Sequence, residues 1–316
     1  MILLTDLDAI PPLTAPVILT IGNFDGLHRG HKRILRKVIS RAREEGGTSV
    51  VVTFEPHPLK VLYPDRAPQL IQTLAQKRDI LAHLGIQALV EVPFTPEFGL
   101  MTAADFARLL ASRLSPHEIY IGEDFRFGKA RAGDIVFLQS LQEELGYTAR
   151  AFSKLEVDGE PVSSTRIRQI LLQGDMERAV RLLGRPYIIE GIVEHGDHRG
   201  KGLGFPTANL AIENELVPAK GVYVVAVDVG DPMLLPGVAN LGSRPTFGEN
   251  RVAVEVHILE GGRDLYGQRI RCFFFKFLRP ETRFESVEAL KTAIAADVAS
   301  ARAFFEGLTL RRRMFY

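Results

Sequence analysis

The stretch Val17-Ile18-Leu19-Thr20-Ile21-Gly22-Asn23-Phe24-Asp25-Gly26-Leu27-His28-Arg29-Gly30-His31 decides how the first half of the chain reads. It opens with an apolar, β-branched run, the pattern of a buried strand. Gly22 and Gly26 bracket a turn where the backbone bends sharply or lets a ligand come close. From 29 to 45 the spacing becomes helical, with Ile34, Leu35, Val38, Ile39 and Ala42 on one side. A helix start presents unpaired N–H groups and the positive end of its dipole, so it is an anion site before any side chain is counted. His28 and His31 share a face of that first turn, and Gly30 between them removes a side chain that would obstruct a phosphate. Two imidazoles over a helix N-terminus suit a polyphosphate. Two surface histidines, or a histidine metal pair, are the plainer alternatives.

Outward from this stretch the pattern repeats. Strands are predicted at 17–21, 49–54, 88–92, 118–121 and 148–152, with helices at 29–45, 74–84, 103–113 and 134–145 between them. Asp134 reads as an N-cap and Gly146 as a C-cap. Alternation of this kind implies a parallel sheet with helices on both faces and a ligand site beyond the strand C-termini. Phe24-Asp25, Phe54-Glu55 and Gly122-Glu123-Asp124 all follow strand ends and are expected to converge there. Two short helices, 163–172 and 176–183, are split by Gly174. Gly184-Arg185-Pro186 reads as a boundary, giving domains 1–184 and 185–316.

Beyond it the period changes. Closely spaced strands at 187–194, 222–229, 238–241, 252–259 and 270–278, separated by Gly, Pro, Asp and Asn, predict a small antiparallel barrel. A final helix at 286–305 has Ser286 as N-cap and Glu288 in its first turn. Its stripe of Val287, Leu290, Ile294 and Val298 is expected to pack on the barrel.

Composition narrows the class. A chain of 316 residues is long enough for two domains, each with its own core. Lys+Arg 39 against Asp+Glu 38 lacks the basic excess of a nucleic-acid binder. The single cysteine, Cys272, excludes an internal disulfide framework and a cysteine zinc site, and its Phe-rich surroundings read as core. No charged-then-apolar leader and no membrane-length run is seen, so the expected setting is the cytoplasm. The clusters Lys32, Arg33, Arg36, Lys37 and Arg311–Arg313 read as solvated faces.

Three further stretches carry chemistry. In Val162-Ser163-Ser164-Thr165-Arg166-Ile167-Arg168 the hydroxyls either cap a helix or also cradle a phosphate, with Arg168 one turn on to reach back to it. In the second, His195 to Asn209, glycines at 196, 200, 202 and 204 suit a phosphate-wrapping loop, although no Lys-Ser/Thr follows and it is not a Walker loop. There Thr207 and Asn209, two apart in extended chain, point the same way, and a hydroxyl with an amide oxygen suits Mg²⁺; a β-turn with an Asn turn-former is the alternative. The third surrounds Glu255, on the polar side of an alternating strand, which faces solvent unless the barrel turns that side toward a ligand. Two weaker stretches follow strands. The aromatics of Gly122-Glu123-Asp124-Phe125-Arg126-Phe127-Gly128 stack on a ring or pack as a loop edge. Phe54-Glu55-Pro56-His57-Pro58 lies by a ligand or is a prolyl turn.

The segment from Gly22 to His31 resembles the His-x-Gly-His motif of nucleotidyltransferases, and its Gly-x-Phe-Asp-Gly lead-in is similar to bacterial bifunctional riboflavin kinase/FAD synthetases. Val162 to Arg168 is similar to that family's Ile-Ser-Ser-Thr-x-x-Arg, with Val162 for Ile. Gly204-Phe205-Pro206-Thr207-Ala208-Asn209 resembles the riboflavin kinase motif. Gly221-Val222-Tyr223, Asn240 to Phe247, Glu255-Val256-His257 and Asp264-Leu265-Tyr266-Gly267 follow in family order. The resemblance implies an α/β Rossmann-like nucleotidyltransferase domain, then a small antiparallel β-barrel domain with a C-terminal helix. It implies phosphorylation of riboflavin to FMN and adenylylation of FMN to FAD, with ATP and Mg²⁺ in both steps. For the adenylyltransferase it places ATP at Gly22, Asn23, Phe24, Asp25, Gly26, His28, Gly30, His31, Ser163, Ser164, Thr165 and Arg168. Among these, His28, His31 and Arg168 steady the departing phosphates. Flavin falls at Phe54, Pro56, Pro58, Asp124 and Phe125. For the kinase it places ATP at Gly196, Gly200, Lys201, Gly202, Gly204, Pro206, Thr207 and Asn209, and Mg²⁺ at Thr207 and Asn209. Glu255 is then the base for the flavin hydroxyl, and Arg279 lies in a loop that closes over flavin. The expected partners are small molecules, with no nucleic acid or membrane, in a monomer or weak homo-oligomer. A flavin-storage protein needs no triphosphate site, and an aminoacyl-tRNA synthetase fragment would carry a Lys-Met-Ser-Lys-Ser loop that this chain lacks.

Overall fold

The structure, a computed structural model, describes residues 1–195, 204–246, 249–260, 263–312 and 315, and of 243–246 and 249–251 the backbone. It divides into two compact units, Met1–Gln69 with Leu74–Val162, and Leu70–Thr73 with Ser163–Tyr316.

The first unit is built on six parallel strands: β1 (Ile2–Leu4), β2 (Val17–Ile21), β3 (Thr48–Glu55), β4 (Ala88–Pro93), β5 (Pro116–Gly122) and β6 (Thr148–Phe152). Their order is β1-β4-β3-β2-β5-β6, so the chain reverses direction across the sheet at β2. The interleaved helices are α1 (Arg29–Glu44), α2 (Pro58–Leu62), α3 (Leu74–Leu84), α4 (Ala103–Leu114), α5 (Ile135–Ser140) and α6 (Gln142–Leu145). The central strands are apolar at nearly every position because both faces are covered. One face packs Leu19, Ile21, Val50 and Val90 against Phe106 and Leu110 of α4. The other packs Ile18 and Tyr120 against Ile34, Val38 and Ala42 of α1.

Local signals set the element ends. Thr102 and Asp134 accept N–H groups at the starts of α4 and α5. The helix expected at 134–145 breaks into α5 and α6 at Leu141, and Gly146 closes it in the left-handed region. Strand β1 was not expected. It is a three-residue edge strand with Ile2 and Leu3 exposed, too short to show a period. A small hairpin, β7 (Glu156–Val157) with β8 (Glu160–Pro161), ends the unit.

In the second unit β9 (Tyr187–Glu194), β10 (Ala208–Ile212), β11 (Gly221–Asp228), β12 (Leu235–Thr246), β13 (Glu249–Ile258) and β14 (Arg269–Arg279) close a barrel in the order β10-β13-β12-β11-β14-β9. Strand β10 was read only as extended chain, and β12 extends well beyond its expected 238–241. Alternation sorts β11 cleanly. Val222, Val224 and Ala226 face outward and pack with Ala301 and Phe305 of the last helix, α9 (Val287–Phe305), while Tyr223, Val225 and Val227 face inward. Cys272 is fully buried, and burial pushes its thiol up to about 12.

Of the apolar stripe expected on α9, Val298 packs against the barrel core and Leu290 and Ile294 are half-buried, but Val287 is 52% exposed, and the fully buried positions are Asp297, Ala301 and Phe305. Only the C-terminal half of the helix crosses Phe273, Phe275 and Val224, so the apolar residues of its first turn have no barrel wall to cover.

Two more helices, α7 (Ser164–Leu172) and α8 (Met176–Leu183), belong to this unit. The buried side of α8, Met176, Ala179, Leu182 and Leu183, packs on β14 and β9. The segment Leu70–Thr73 joins them. Leu70 N–H donates to Glu215 at 3.0 Å, and the Thr73 hydroxyl donates to the fully buried Glu190, which also accepts from Arg271 at 2.7 Å.

Candidate active sites

At the C-terminal end of β2 the backbone turns through Phe24 (φ 49°), Gly26 (φ 82°) and Leu27 (φ 40°), all in the left-handed region. Side chains rarely adopt it, so packing must hold them there. Phe24 and Leu27 are buried to 2% and 0% exposure. Gly22 gives the Phe24 ring room, since a Cβ there would lie 3.2 Å from it and crowd it. The turn delivers His28 as the N-cap of α1, its Nδ1 accepting the His31 N–H at 3.3 Å. A neutral imidazole that accepts at Nδ1 carries its proton on Nε2. The two rings stack at 3.6 Å, and Phe24 meets His31 edge-on at 5.2 Å. A Cβ on Gly30 would fall 3.2 Å from the His28 ring and crowd this stack. Burial, then His28, then Lys77, push the His31 imidazole well below its ordinary pKa, so His31 is neutral near pH 7. Its Nδ1 is buried and makes no hydrogen bond among the described residues.

The other strand ends arrive beside it. Asn23 accepts a hydrogen bond from Thr53 of β3 at 3.4 Å, and Asp25 is buried. Phe54 sits in an aromatic group with Phe94, Phe98 and Phe106, which continues through Phe127 to a stacked Phe125. Pro56 follows a cis peptide bond, and Pro58 opens α2 behind His57, whose ring caps it. Asp124 is exposed and paired with Lys154 at 3.3 Å. The expected convergence of the 24–25, 54–55 and 122–124 segments on one sheet edge is therefore seen in the first unit. One residue there carries no motif: Lys77 on α3, buried to 7% exposure, within the field of Asp25, Glu55, Glu91 and His31. A lysine inside an ordinary helical period gave no signal.

In the second unit Ser163 is the N-cap of α7 and accepts the Arg166 N–H at 3.3 Å. Ser164 and Thr165 form the first turn, and Arg168 lies one turn on. The capping part of that motif is in place.

The barrel brings its residues together by register. Asn209 of β10 stands opposite Glu255 of β13, and Glu255 stands opposite Asn240 of β12. Asn209 also faces Glu194 of β9, and Asn240 faces Val222 of β11, itself opposite Arg279 of β14. Directly paired residues share a face. This row is therefore on the outer side of the barrel, one position away from the inward Leu210, Val254 and Leu241. Glu255 is half-buried rather than fully solvated. Thr207, two residues before Asn209, and Pro206 sit just ahead of β10, and the Pro206 carbonyl meets His257 Nδ1 at 2.8 Å. Gly204 has φ 90°. Gly196, Gly200, Lys201 and Gly202 lie outside the described residues. Arg279 is held by Asp297 of α9 at 2.8 and 3.1 Å and lies over the Phe284 ring. Two residues on, the Glu281 carboxylate occupies the space over Gly242, where a Cβ would come within 2.7 Å of it and 3.4 Å of the Asn240 amide. Asn240, Glu281 and Asp297 were given no role from sequence, because only strand register and the α9 crossing bring them to Glu255 and Arg279.

The FAD synthetase family profile matches residues 11–166, and the riboflavin kinase profile matches residues 183–305. A bifunctional riboflavin kinase/FMN adenylyltransferase of Pseudomonas fluorescens is 44% identical over 90% of this chain and 92% of its own. The namesake of Escherichia coli K12 is 41% identical over 92% and 93%, and that of Bacillus subtilis 35% over 93% and 94%. The chain belongs to the bifunctional riboflavin kinase/FMN adenylyltransferase family.

As in that family, the FAD synthetase segment precedes the riboflavin kinase segment, the first on the parallel sheet and the second on the barrel. A solved structure described as a macrolide-efflux protein of Streptococcus pneumoniae is 29% identical and superposes with a TM-score of 0.86 over 95% of this chain and 98% of its own. Among the described residues no helix is long and apolar enough to cross a membrane.

Proposed function

We propose that this chain phosphorylates riboflavin to FMN on the barrel and adenylylates FMN to FAD on the parallel-sheet unit, consuming ATP in each step. The observation that carries the site assignment is the barrel row in which Glu255 stands directly between Asn209 and Asn240. A carboxylate with carboxamides on both flanks is a positioned base, and an alcohol nucleophile needs one. Glu255 takes the proton of the riboflavin 5′-hydroxyl as that oxygen attacks the γ-phosphorus of ATP, and ADP leaves. Thr207, just ahead of β10, and Asn209, two residues on within it, offer hard oxygen donors, a donor set that fits Mg²⁺ once ATP oxygens join it. Bound there, Mg²⁺ would offset charge on the transferring phosphoryl group. Arg279, steered by Asp297, bounds the flavin side.

In the adenylyl transfer a phosphate oxygen of FMN attacks the α-phosphorus of ATP and the bond to pyrophosphate breaks. That nucleophile is already anionic, so the chain contributes placement and charge stabilisation rather than a base. The N–H groups that open α1, the Nε2–H of His28 and the neutral His31 supply dipoles to the departing phosphates. Ser163, Ser164, Thr165 and Arg168 supply further donors and a cation. Flavin lies by Phe54, Pro56, Pro58, Asp124 and Phe125. The enzyme works in the cytoplasm as a monomer or weak homo-oligomer, without nucleic acid or membrane.

The test is direct. The purified chain is incubated with riboflavin, ATP and MgCl₂, with FMN, FAD, ADP and pyrophosphate followed by chromatography. FMN and then FAD should accumulate, and omission of Mg²⁺ should stop both. Absence of both flavin products would overturn the reading.

A further inference from the structure

We propose that Lys77 is a substrate-binding residue of the adenylyl-transfer site, its ammonium donating to anionic oxygens of the phosphate chain. This rests on the reading of the α1 N-terminus as that site. Lys77 lies on the buried side of α3 with Gln76, Ile80 and Leu81, and is 7% exposed. A lysine buried to that degree ordinarily has a contact partner, because an unpaired charge is costly to remove from water. Here the ammonium makes no hydrogen bond and no ion pair within 4.0 Å among the described residues. Its neighbour Arg78 is the one committed to Glu91, in a two-point ion pair at 2.8 and 2.5 Å.

The position of Lys77 is informative. Asp25 follows β2, Glu55 ends β3, and Glu91 is in β4, so the groups that act on it lie toward one end of the parallel sheet. That end is where ligands of such sheets bind. Burial pushes the Lys77 ammonium below its ordinary pKa, the carboxylates of Glu55, Asp25 and Glu91 oppose that and favour its charged form, and its field reaches His31. Burial keeps His31 neutral, and the cations of the α1 start are Arg29, which is exposed, and Lys32, which is 5% exposed rather than on the solvated face its cluster suggests. A polyphosphate carries several negative charges, and Lys77 adds a buried ammonium with three unused donors from a second helix. The competing role is structural, with Lys77 only balancing Asp25 and Glu55 and so holding the turn at 24–27.

The experiment uses the full chain with Lys77→Met, Lys77→Gln and Lys77→Arg. Pyrophosphate binding in the presence of Mg²⁺ is measured by calorimetry, and KM for ATP and kcat are measured for FAD formation from FMN. FMN formation from riboflavin monitors the fold. The neutral variants should weaken pyrophosphate binding and raise KM for ATP by about ten- to a hundredfold, the effect of losing one charged donor to phosphate. Lys77→Arg should recover most of this, with FMN formation unchanged throughout. Pyrophosphate affinity within about twofold of wild type in the neutral variants, even with a lower kcat, would leave Lys77 the structural role and overturn the proposal. Lys77→Gln, which keeps a polar head, stands in if Lys77→Met does not fold. The His28→Ala, His31→Ala double variant is the control. If it loses pyrophosphate and Lys77→Met does not, only Lys77 is wrong; if it too binds normally, the reading of the α1 site fails.

Discussion

Glu255 illustrates what one residue inherits from its position. Its strand alternates Val252, Val254 and Val256 with Ala253, Glu255 and His257, which says only that it shares a face with polar neighbours. Register then places it between two carboxamides and half-buries it. Glu255→Gln keeps the shape and removes the base. We expect kcat for riboflavin phosphorylation to fall by about two to four orders of magnitude. Conversion of added FMN to FAD should hold its wild-type rate, and assaying both half-reactions on this one variant decides the matter. If Glu255 were merely a surface strand residue, the change would be mild. The His28→Ala, His31→Ala pair should behave the opposite way. FAD formation should drop about a hundredfold or more through lost transition-state contacts, with FMN formation nearly unaffected. Equal losses in both steps would signal general damage instead.

Elements in this protein are fastened to one another by a few buried charges. Helix α1 is tied to β5 through Arg41, whose guanidinium meets Glu118 at 2.7 Å. Glu118 is 5% exposed, and the Arg41 hydrogen bond, opposed by burial and aided by the Tyr120 hydroxyl, holds its carboxyl below the usual range. A carboxyl whose pKa is lower in the fold adds stability that is complete above its unfolded value of about 4.3 and fades as pH falls through the folded value. Glu118→Gln should therefore lower Tm at pH 7, with the gap to wild type closing as the pH drops below about 4. Thermal melts across that range test it, and a pH-independent gap would mean that packing, not the charge, is responsible. Helix α9 is tied to the end of β14 by the Arg279–Asp297 pair. Asp297→Ala leaves Arg279 without this carboxylate and should cost about 1–3 kcal/mol, read by urea denaturation. It should also raise KM for riboflavin, since it unfastens the segment carrying Arg279 and Glu281.

At the scale of the whole molecule the two activities should separate, and the place of the cut matters. The change of pattern at Gly184-Arg185-Pro186 suggests a fragment 185–316. Such a fragment lacks α8, whose Met176, Ala179, Leu182 and Leu183 cover β14 and β9, and α7, against which Gly174 and Ala219 also sit. A fragment 163–316 keeps both helices. We expect 163–316 to make FMN and no FAD, and to melt several degrees above 185–316, as expected when a buried apolar helix face is retained. Circular dichroism melts with an FMN assay on each fragment check this. Equal stability would show that the helices are dispensable to the barrel, and a folded 163–316 without kinase activity would show that the units are not independent.

What the sequence determined alone was everything carried by short-range rules. The periods of 2 and 3.6, the caps at Asp134, Ser163 and Ser286, and the glycines of the 22–30 turn are each decided within a few residues of themselves. Motif order along the chain then identified the family. What only the tertiary structure decided was alignment between distant segments. Alternation cannot say which side of a strand a barrel encloses, and a helical stripe cannot say which half of α9 will meet a wall. The row Glu194, Asn209, Glu255, Asn240 draws on four strands, and Lys77 is brought by α3 into the field of Asp25 and Glu55, which follow or end two different strands. Register and burial are set by the packing of the whole core, in which every strand restricts its neighbours. No single stretch of sequence contains that information.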